Sequence, residues 1–378
     1  MVLLLLRALD GLKQSPALWQ KHFYTTLKDL GLIEVPDAPC LYTNEFLIVF
    51  FFVDDVIMAY KKEHEEYADS FQEQLFKIYE MRVMGEAQWF LALRIVRDRK
   101  RRQLWLSQES YVSGLLMKYN VNDRSFSQTP LPADEDITSN DGHATAQDIH
   151  TYQSMVGSIN FAAVSTRPDV AFAMTKLSEF LQNPSRRHIY LARRVLSYLG
   201  GTKQLSLCYT GFMQDQTNLF TISSDASYAN DTETRRSHQG TMLTLFGAAV
   251  DWKAFKQPTV TTPTTEAELL ALSEAVKQCF WWKRFFQAIQ FGPGHLIDIQ
   301  CDNKQTLRLM EENVSKLSTK LRHVDIHNHW LRQETQAGRI HFKWTPTAYM
   351  IADGLTKPLY RQKHAIFVEQ LGLQTLTN

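Results

Sequence analysis

Apolar residues recur along this chain at helical spacing in some stretches and as short β-branched and aromatic runs in others, and the two patterns together predict an α+β protein. Trp19 to Leu30 has helical periodicity and stops at Gly31. The run Phe46-Leu47-Ile48-Val49-Phe50-Phe51-Phe52-Val53 predicts a strand buried on both faces, and Val56 to Tyr60 its return, so Asp54-Asp55 forms a hairpin tip. Tyr67 to Met81 reads as an amphipathic helix. Trp89 to Val96 and Gln103 to Ser107 read as a second hairpin, and Gln108 to Tyr119 as a short helix. Asp123 to His150, with Thr129-Pro130-Leu131-Pro132 and Asn140-Asp141-Gly142, has almost no apolar periodicity and predicts a linker or long surface loop.

Helical patterns return at Thr151 to Ser165, Pro168 to Leu181 and Ser185 to Leu199. Strand patterns follow at Leu205 to Tyr209, Leu219 to Ser224, Gly240 to Phe246 and Ala248 to Trp252. A long helix from about Thr265 to Phe291, a strand at Leu296 to Cys301, helices near Gln305 and His323, a strand at Arg339 to Trp344 and a last helix complete the chain. Strands first and helices alternating with strands afterwards predict a mixed five-stranded sheet flanked by helices. The expected divisions are residues 1–122, a linker at 123–150, a helical connector at 151–203 and an α/β domain at 204–373.

Composition narrows the class without choosing a function. The chain has 378 residues, 44% of them hydrophobic and 12% aromatic, which suits a globular protein with a substantial core. Lys and Arg number 41 against 40 Asp and Glu, so no global field draws the chain to nucleic acid or membrane, and any such contact needs local patches. Arg97 to Arg102, and Arg186-Arg187 with Arg193-Arg194, are the candidates, beside the reading of a charged turn and solvated helix faces. Cys40, Cys208, Cys279 and Cys301 have no metal-ligand spacing, and free thiols fit an intracellular protein, cytoplasmic or nuclear and not secreted. The apolar Met1 to Leu6 lacks a basic leader and is too short to span a bilayer. It reads as the edge of a fold rather than a signal or anchor.

The chemistry-bearing residues are carboxylates. Asp54 and Asp55 repel each other, and a divalent cation is their natural neutralising partner, although a solvated turn uses the same residues. In the last block Asp225 ends a strand, Glu266 opens the long helix, Asp302 ends another strand, and Asp353 lies in a short helical segment. Such positions on one edge of a sheet converge in space, and convergent carboxylates make a site for two magnesium (or manganese) ions. Taken singly, Glu266 also suits a first-turn acid and Asp302 an N-cap. His323 and His327 share a helix face, but no cysteine completes a zinc tetrahedron there. Trp281-Trp282 with Lys283-Arg284 suits a base-stacking platform or, more simply, core rings with snorkelling cations.

The ordered motifs resemble those of copia-type long-terminal-repeat retrotransposon polyproteins, in the later reverse transcriptase and the ribonuclease H region. They include Gly11-Leu12-Lys13-Gln14-Ser15-Pro16, Phe52-Val53-Asp54-Asp55, Leu106-Ser107-Gln108, Thr166-Arg167-Pro168-Asp169 and Gln257-Pro258-Thr259-Val260. Thr264-Thr265-Glu266-Ala267-Glu268, Cys301-Asp302-Asn303, His323-Val324-Asp325 and Ala352-Asp353-Gly354-Leu355-Thr356-Lys357-Pro358 complete the set. The resemblance implies a partial palm and thumb, a connector and a ribonuclease H-like domain. It implies that Asp54 and Asp55 bind polymerase metals, and that Asp225, Glu266, Asp302 and Asp353 bind the metals that cleave RNA in RNA–DNA hybrids. Ser224, Ser227 and Asn303 are candidate groove contacts, with capping as their simpler role.

Departures from the family pattern bear on activity. A further upstream polymerase aspartate has no counterpart here, so polymerisation by this chain alone is expected to be absent. Asp10 stands where tyrosine is usual, Phe52 replaces tyrosine in the aspartate box, and no histidine precedes Asp353 in Trp344 to Tyr349. The alternative to a working ribonuclease H is a non-catalytic relic that binds nucleic acid or a partner chain. A third reading has another retroelement polyprotein chain supply the missing fingers.

Overall fold

The computed structural model describes residues 11–122, 125–211, 219–292, 297–311 and 322–376. Asp10, the Met1 to Leu6 run and the His323 side chain lie outside the described residues. Two compact units emerge. One takes in the chain up to Phe90 with Phe280–Gly292, and the other Leu91–Cys279 with Pro293–Asn378.

The first unit packs α1 (Ser15–Asp29) and α2 (Glu65–Ile78) on an antiparallel sheet of β1 (Ile33–Glu34), β2 (Leu41–Thr43), β3 (Leu47–Phe52) and β4 (Asp55–Tyr60), and ends in the short strand β5 (Trp89–Phe90). Leu47, Val49 and Phe51 on β3 join Phe23, Leu27, Phe71 and Leu75 in its core. Ile48 and Phe50 are only half-buried and Phe52 is exposed, so β3 buries one face rather than the expected two. The apolar residues of its other face are shielded in part by rings such as Phe90, which meets Phe50 edge-on at 5.2 Å. Trp281 stacks on Phe285, and Trp282 meets both rings edge-on, in an aromatic cluster. Trp282 is 8% exposed, the core role among the two expected.

In the second unit β6 (Leu93–Asp98), β7 (Gln103–Ser107) and β8 (Leu205–Thr210) run antiparallel, and β14 (Leu373–Thr375) pairs with β8. The strand expected at Leu205 to Tyr209 therefore belongs to this sheet and not to the mixed sheet that follows it in sequence. Its partners lie about a hundred residues before it and some 170 after it, separations that local periodicity does not carry. Helices α3 (Glu109–Lys118), α4 (Ala146–Ser165), α5 (Ala171–Ser178) and α6 (Arg186–Gly201) share one core. Leu131 and Ile137 are buried in it, so the irregular stretch expected as a linker or long surface loop is anchored onto these helices, and α4 begins before Thr151.

Several of the basic residues expected as patches take part in local structure. Asp98 Oδ1 accepts from the backbone N–H of Lys100 and Arg101, both at 2.9 Å, which turns the β6–β7 hairpin. Arg187 pairs with Glu135, Arg193 donates to the carbonyls of Tyr119 and Asn120, and Arg194 donates to Thr129 Oγ1.

The mixed sheet has the order β11-β10-β9-β12-β13, built from β9 (Phe220–Ser227), β10 (His238–Leu245), β11 (Ala248–Lys256), β12 (Asp298–Cys301) and β13 (His341–Trp344). The first three strands are antiparallel, while β12 runs parallel to both β9 and β13. The expected mixed five-stranded sheet is the one observed. Helices α7 (Thr264–Ala288), α8 (Lys304–Glu311), α9 (Arg322–Gln336) and α10 (Arg361–Gln370) accompany it. Among the described residues no helix is long and apolar enough to cross a membrane.

Candidate metal centre

Parallel neighbours end on the same edge of a sheet, and this fact begins the site. Ile299 pairs with Ile222 and Gln300 with Ser223, and two residues further along the same register Asp302 lies beside Asp225. Small residues bring a third acid. Ala226 on β9 packs against Ala267 and Ala271, one turn apart on α7, and with no long side chains between them the helix comes close to the strand. Glu268 on that helix then reaches the site and accepts a hydrogen bond from the Ala226 backbone N–H.

The fourth acid depends on a glycine. Gly240 sits opposite Asp225 on β10, and a Cβ there would lie 2.6 Å from Leu355 Cβ and 3.1 Å from the Ala352 carbonyl oxygen. Its absence lets the turn Ile351–Leu355 settle on the sheet with Asp353. From the residue after that turn, Thr356 Oγ1 donates to Asp225 Oδ2 at 2.6 Å. Lys357 pairs with Asp353 Oδ1, and Lys363 reaches Asp353 Oδ2 at 2.9 Å. Asp302 Oδ2 accepts from Thr347 Oγ1 at 2.6 Å, and the Asp302 carbonyl accepts from Trp344 Nε1 at 3.1 Å.

Asp225, Asp302 and Asp353 are thus together, but the glutamate with them is Glu268 rather than Glu266. Glu266 is the third residue of α7, and its Oε2 accepts from the Thr262 backbone N–H at 3.1 Å, so it serves the helix start. Glu268 comes two residues later, past the reach of a first-turn cap. The deciding feature is the exact start of α7, which puts Glu266 in the first turn and Glu268 beyond it. Asn303, not Asp302, caps α8, accepting from the Thr306 N–H at 3.0 Å. Ser224 Oγ is buried without a partner, and Ser227 is half-buried. Sequence reasoning also passed over Thr347, Thr356, Lys357, Lys363 and the Cys301 thiol.

The electrostatics are those of a cation site without enough positive charge. Burial, then Asp353 and Asp302, push Asp225 up to about 6 despite the Thr356 hydrogen bond. Burial, then Asp225 and Asp302, hold Glu268 well above the usual carboxylate range. Burial works against the charge on Lys357, but Asp353, Asp225 and Asp302 outweigh it and raise its pKa. Glu268 Oε2 is buried with no hydrogen-bond partner. Four carboxylates share two lysines, and a buried oxygen is left over, so the donor set fits hard divalent cations. A cavity of about 530 Å³ opens here, lined by Glu268, Asp302, Asn303, Lys304, Trp344 and Tyr228. Lys304 Nζ lies 4.0 Å from the centre of the Trp344 ring on its rim.

A pH dependence follows from Asp225. Its pKa is higher in the fold than in the unfolded chain, so between about pH 4 and pH 6 the folded protein holds the extra proton. The group's contribution is therefore most favourable below about pH 4, and it falls by on the order of 3 kcal/mol as pH rises through about 6. A cation needs the ionised form. Thermal unfolding with EDTA and with magnesium is expected to give a small magnesium shift at about pH 5 and a larger one at about pH 8.

Asp54 and Asp55 are exposed at the β3–β4 tip in the first unit. The preceding Val53 has φ 55°, a strained backbone for a β-branched residue, and its carbonyl accepts from Trp19 Nε1 at 2.6 Å. Among the described residues, the groups of three or more metal-ligating side chains do not include this pair. His327 Nδ1 lies 2.7 Å from Ser273 Oγ, and no such group contains it either.

Comparison with known proteins gives the family of the chain. Residues 1–133 match the reverse transcriptase (RNA-dependent DNA polymerase) family. The putative transposon Ty5-1 protein of Saccharomyces cerevisiae is 31% identical over 71% of this chain and 86% of its own length. This chain belongs to the copia-type retrotransposon polyprotein family. The retrovirus-related Pol polyprotein from transposon TNT 1-94 of Nicotiana tabacum is 31% identical over 99% of the chain but only 28% of that polyprotein. The Pol polyprotein from transposon RE2 of Arabidopsis thaliana is 26% identical over 97% of the chain and 25% of its own length, so the chain spans about a quarter of these Pol relatives. Among solved structures, LC11-RNase H1 in complex with RNA/DNA hybrid aligns with 36% of this chain and 93% of its own, at 14% identity and a TM-score of 0.28. The foamy viral protease-reverse transcriptase in complex with RNA/DNA hybrid aligns with 90% of this chain and 39% of its own, at 13% identity and a TM-score of 0.46.

Proposed function

We propose that this region of a retrotransposon polyprotein cleaves the RNA strand of RNA–DNA hybrids, with Asp225, Glu268, Asp302 and Asp353 holding magnesium or manganese. The observation that carries the reading is the convergence of four carboxylates, one with an unpartnered buried oxygen, on one sheet edge beside an open cavity. When bound, two such ions supply charge stabilisation for attack of water on a phosphodiester. The protein's own part is positional. Thr356 and Thr347 fix the carboxylates of Asp225 and Asp302, Lys363 holds Asp353, and Lys357 offsets negative charge within the cluster. Trp344, Tyr228 and Lys304 at the cavity rim offer aromatic faces and a cation to a nucleic-acid backbone and its sugars.

The domain reading proposed with it assigns residues up to 122 to a palm and thumb, 151–203 to a connector and 204–373 to the ribonuclease H-like part, with β8 lent to the neighbouring sheet. Asp54 and Asp55 are proposed as carboxylates of the polymerase hairpin.

The test is cleavage of an end-labelled RNA strand annealed to DNA, with magnesium, beside an all-DNA duplex and an Asp302→Asn protein. Hybrid-specific cutting that the variant loses is the expected result. No cutting by folded protein would favour the non-catalytic relic.

A further inference from the structure

Beside the carboxylates lies a thiol that magnesium chemistry does not use. Cys301 is the last residue of β12 and is fully buried. Its Sγ, a Glu268 oxygen and an Asp302 oxygen all lie within 4.8 Å of one another. Glu268 is 6% exposed, and its Oε2 has no hydrogen-bond partner. The same carboxylates line the open cavity, which gives an ion a way in.

We infer that Glu268, Cys301 and Asp302 form a site for a thiophilic divalent cation, of the zinc or cadmium type, which competes with magnesium for the two carboxylates. Magnesium requires hard oxygen ligands in near-octahedral array and gains nothing from sulfur. Zinc-type ions accept a mixed sulfur and oxygen set at four-coordination, and a thiolate raises their affinity above that of an all-oxygen site. Three protein ligands leave the fourth position open to solvent in the cavity. On binding, the Cys301 S–H bond breaks, its proton goes to the buffer and a sulfur–metal bond forms, with no change of oxidation state. Thiolate ligation rests on the proposed cation site, yet its detection needs no nuclease activity.

The probe is cadmium ion alone, titrated into the full chain while near-ultraviolet thiolate-to-metal absorption is followed. The background is Cys40→Ser, which removes the one cysteine that is not buried. One absorption band per protein is expected. Cys301→Ser should abolish it, and Glu268→Gln, which keeps every remaining thiol, should weaken cadmium binding by at least about tenfold. Absence of the band, or a band unchanged in both variants, overturns the inference. Magnesium-dependent thermal stabilisation, measured on the same Cys301→Ser protein, reports separately on the carboxylate site and is expected to persist.

Discussion

Glu268→Gln is expected to cut an RNA–DNA hybrid at less than about a hundredth of the parent rate, whereas Glu266→Gln keeps that rate within severalfold. Even a group standing behind a metal ligand costs about 10–100-fold when removed, and Glu268 is proposed as a ligand itself. Its replacement by the neutral amide removes a carboxylate from the proposed cation site beside Asp225 and Asp302. Glu266 has the same chemistry and nearly the same sequence position, but its carboxylate is turned to the Thr262 N–H. The glutamine amide oxygen accepts the same hydrogen bond without the charge, so the change should alter stability by no more than about 1 kcal/mol. The pair is measured by hybrid cleavage and by thermal unfolding on both proteins. The reverse ranking would return the catalytic role to Glu266.

That pair also marks how far the residues could be read before the fold was known. Asp225 and Asp302 were legible because each follows a short β-branched or apolar run, and strands that end in an acid bring that acid to a sheet edge. Asp353 came with its motif. The choice between Glu266 and Glu268 was not made by periodicity, since both positions are buried, at 1% and 6% exposure. It was made by capping, a local hydrogen bond that depends on where the helix starts to within one residue. The faces of β3 were misread because a run of apolar residues looks the same whether one side or two are covered by protein. The membership of β8 depended on β7 and β14, and long-range pairing leaves no local trace. The stretch before α4 lacks periodicity, yet two apolar residues, Leu131 and Ile137, are enough to anchor it in the core.

The motif Thr166-Arg167-Pro168-Asp169 was legible as a motif and silent as to its purpose, which the fold supplies. Arg167 is 1% exposed, and its Nε and Nη2 donate to the two Asp169 oxygens at 2.9 and 2.6 Å. Nη1 donates to the Thr202 carbonyl at 3.0 Å, and Tyr198 OH donates to Asp169 Oδ2 at 2.6 Å. Burial holds the His364 pKa below its usual range, which keeps the ring neutral, and its Nε2 lies 2.9 Å from Tyr198 OH. The network joins the end of α4 to α6 and to α10, and α10 carries the Phe367 ring that packs against Gly354, next to Asp353. Arg167→Met is expected to cost about 3–5 kcal/mol, because it leaves the Asp169 carboxylate buried with its main partner gone. A loss of that size is a large fraction of the ordinary stability of a domain. If the penalty arises from the orphaned charge, the double change Arg167→Met with Asp169→Leu should recover much of it, since a buried ion pair replaced by apolar groups is often near neutral. Urea unfolding of the two proteins separates the cases. A double variant no more stable than the single would mean that the contacts to Thr202 and Tyr198, and not the charge pair, hold the three helices together.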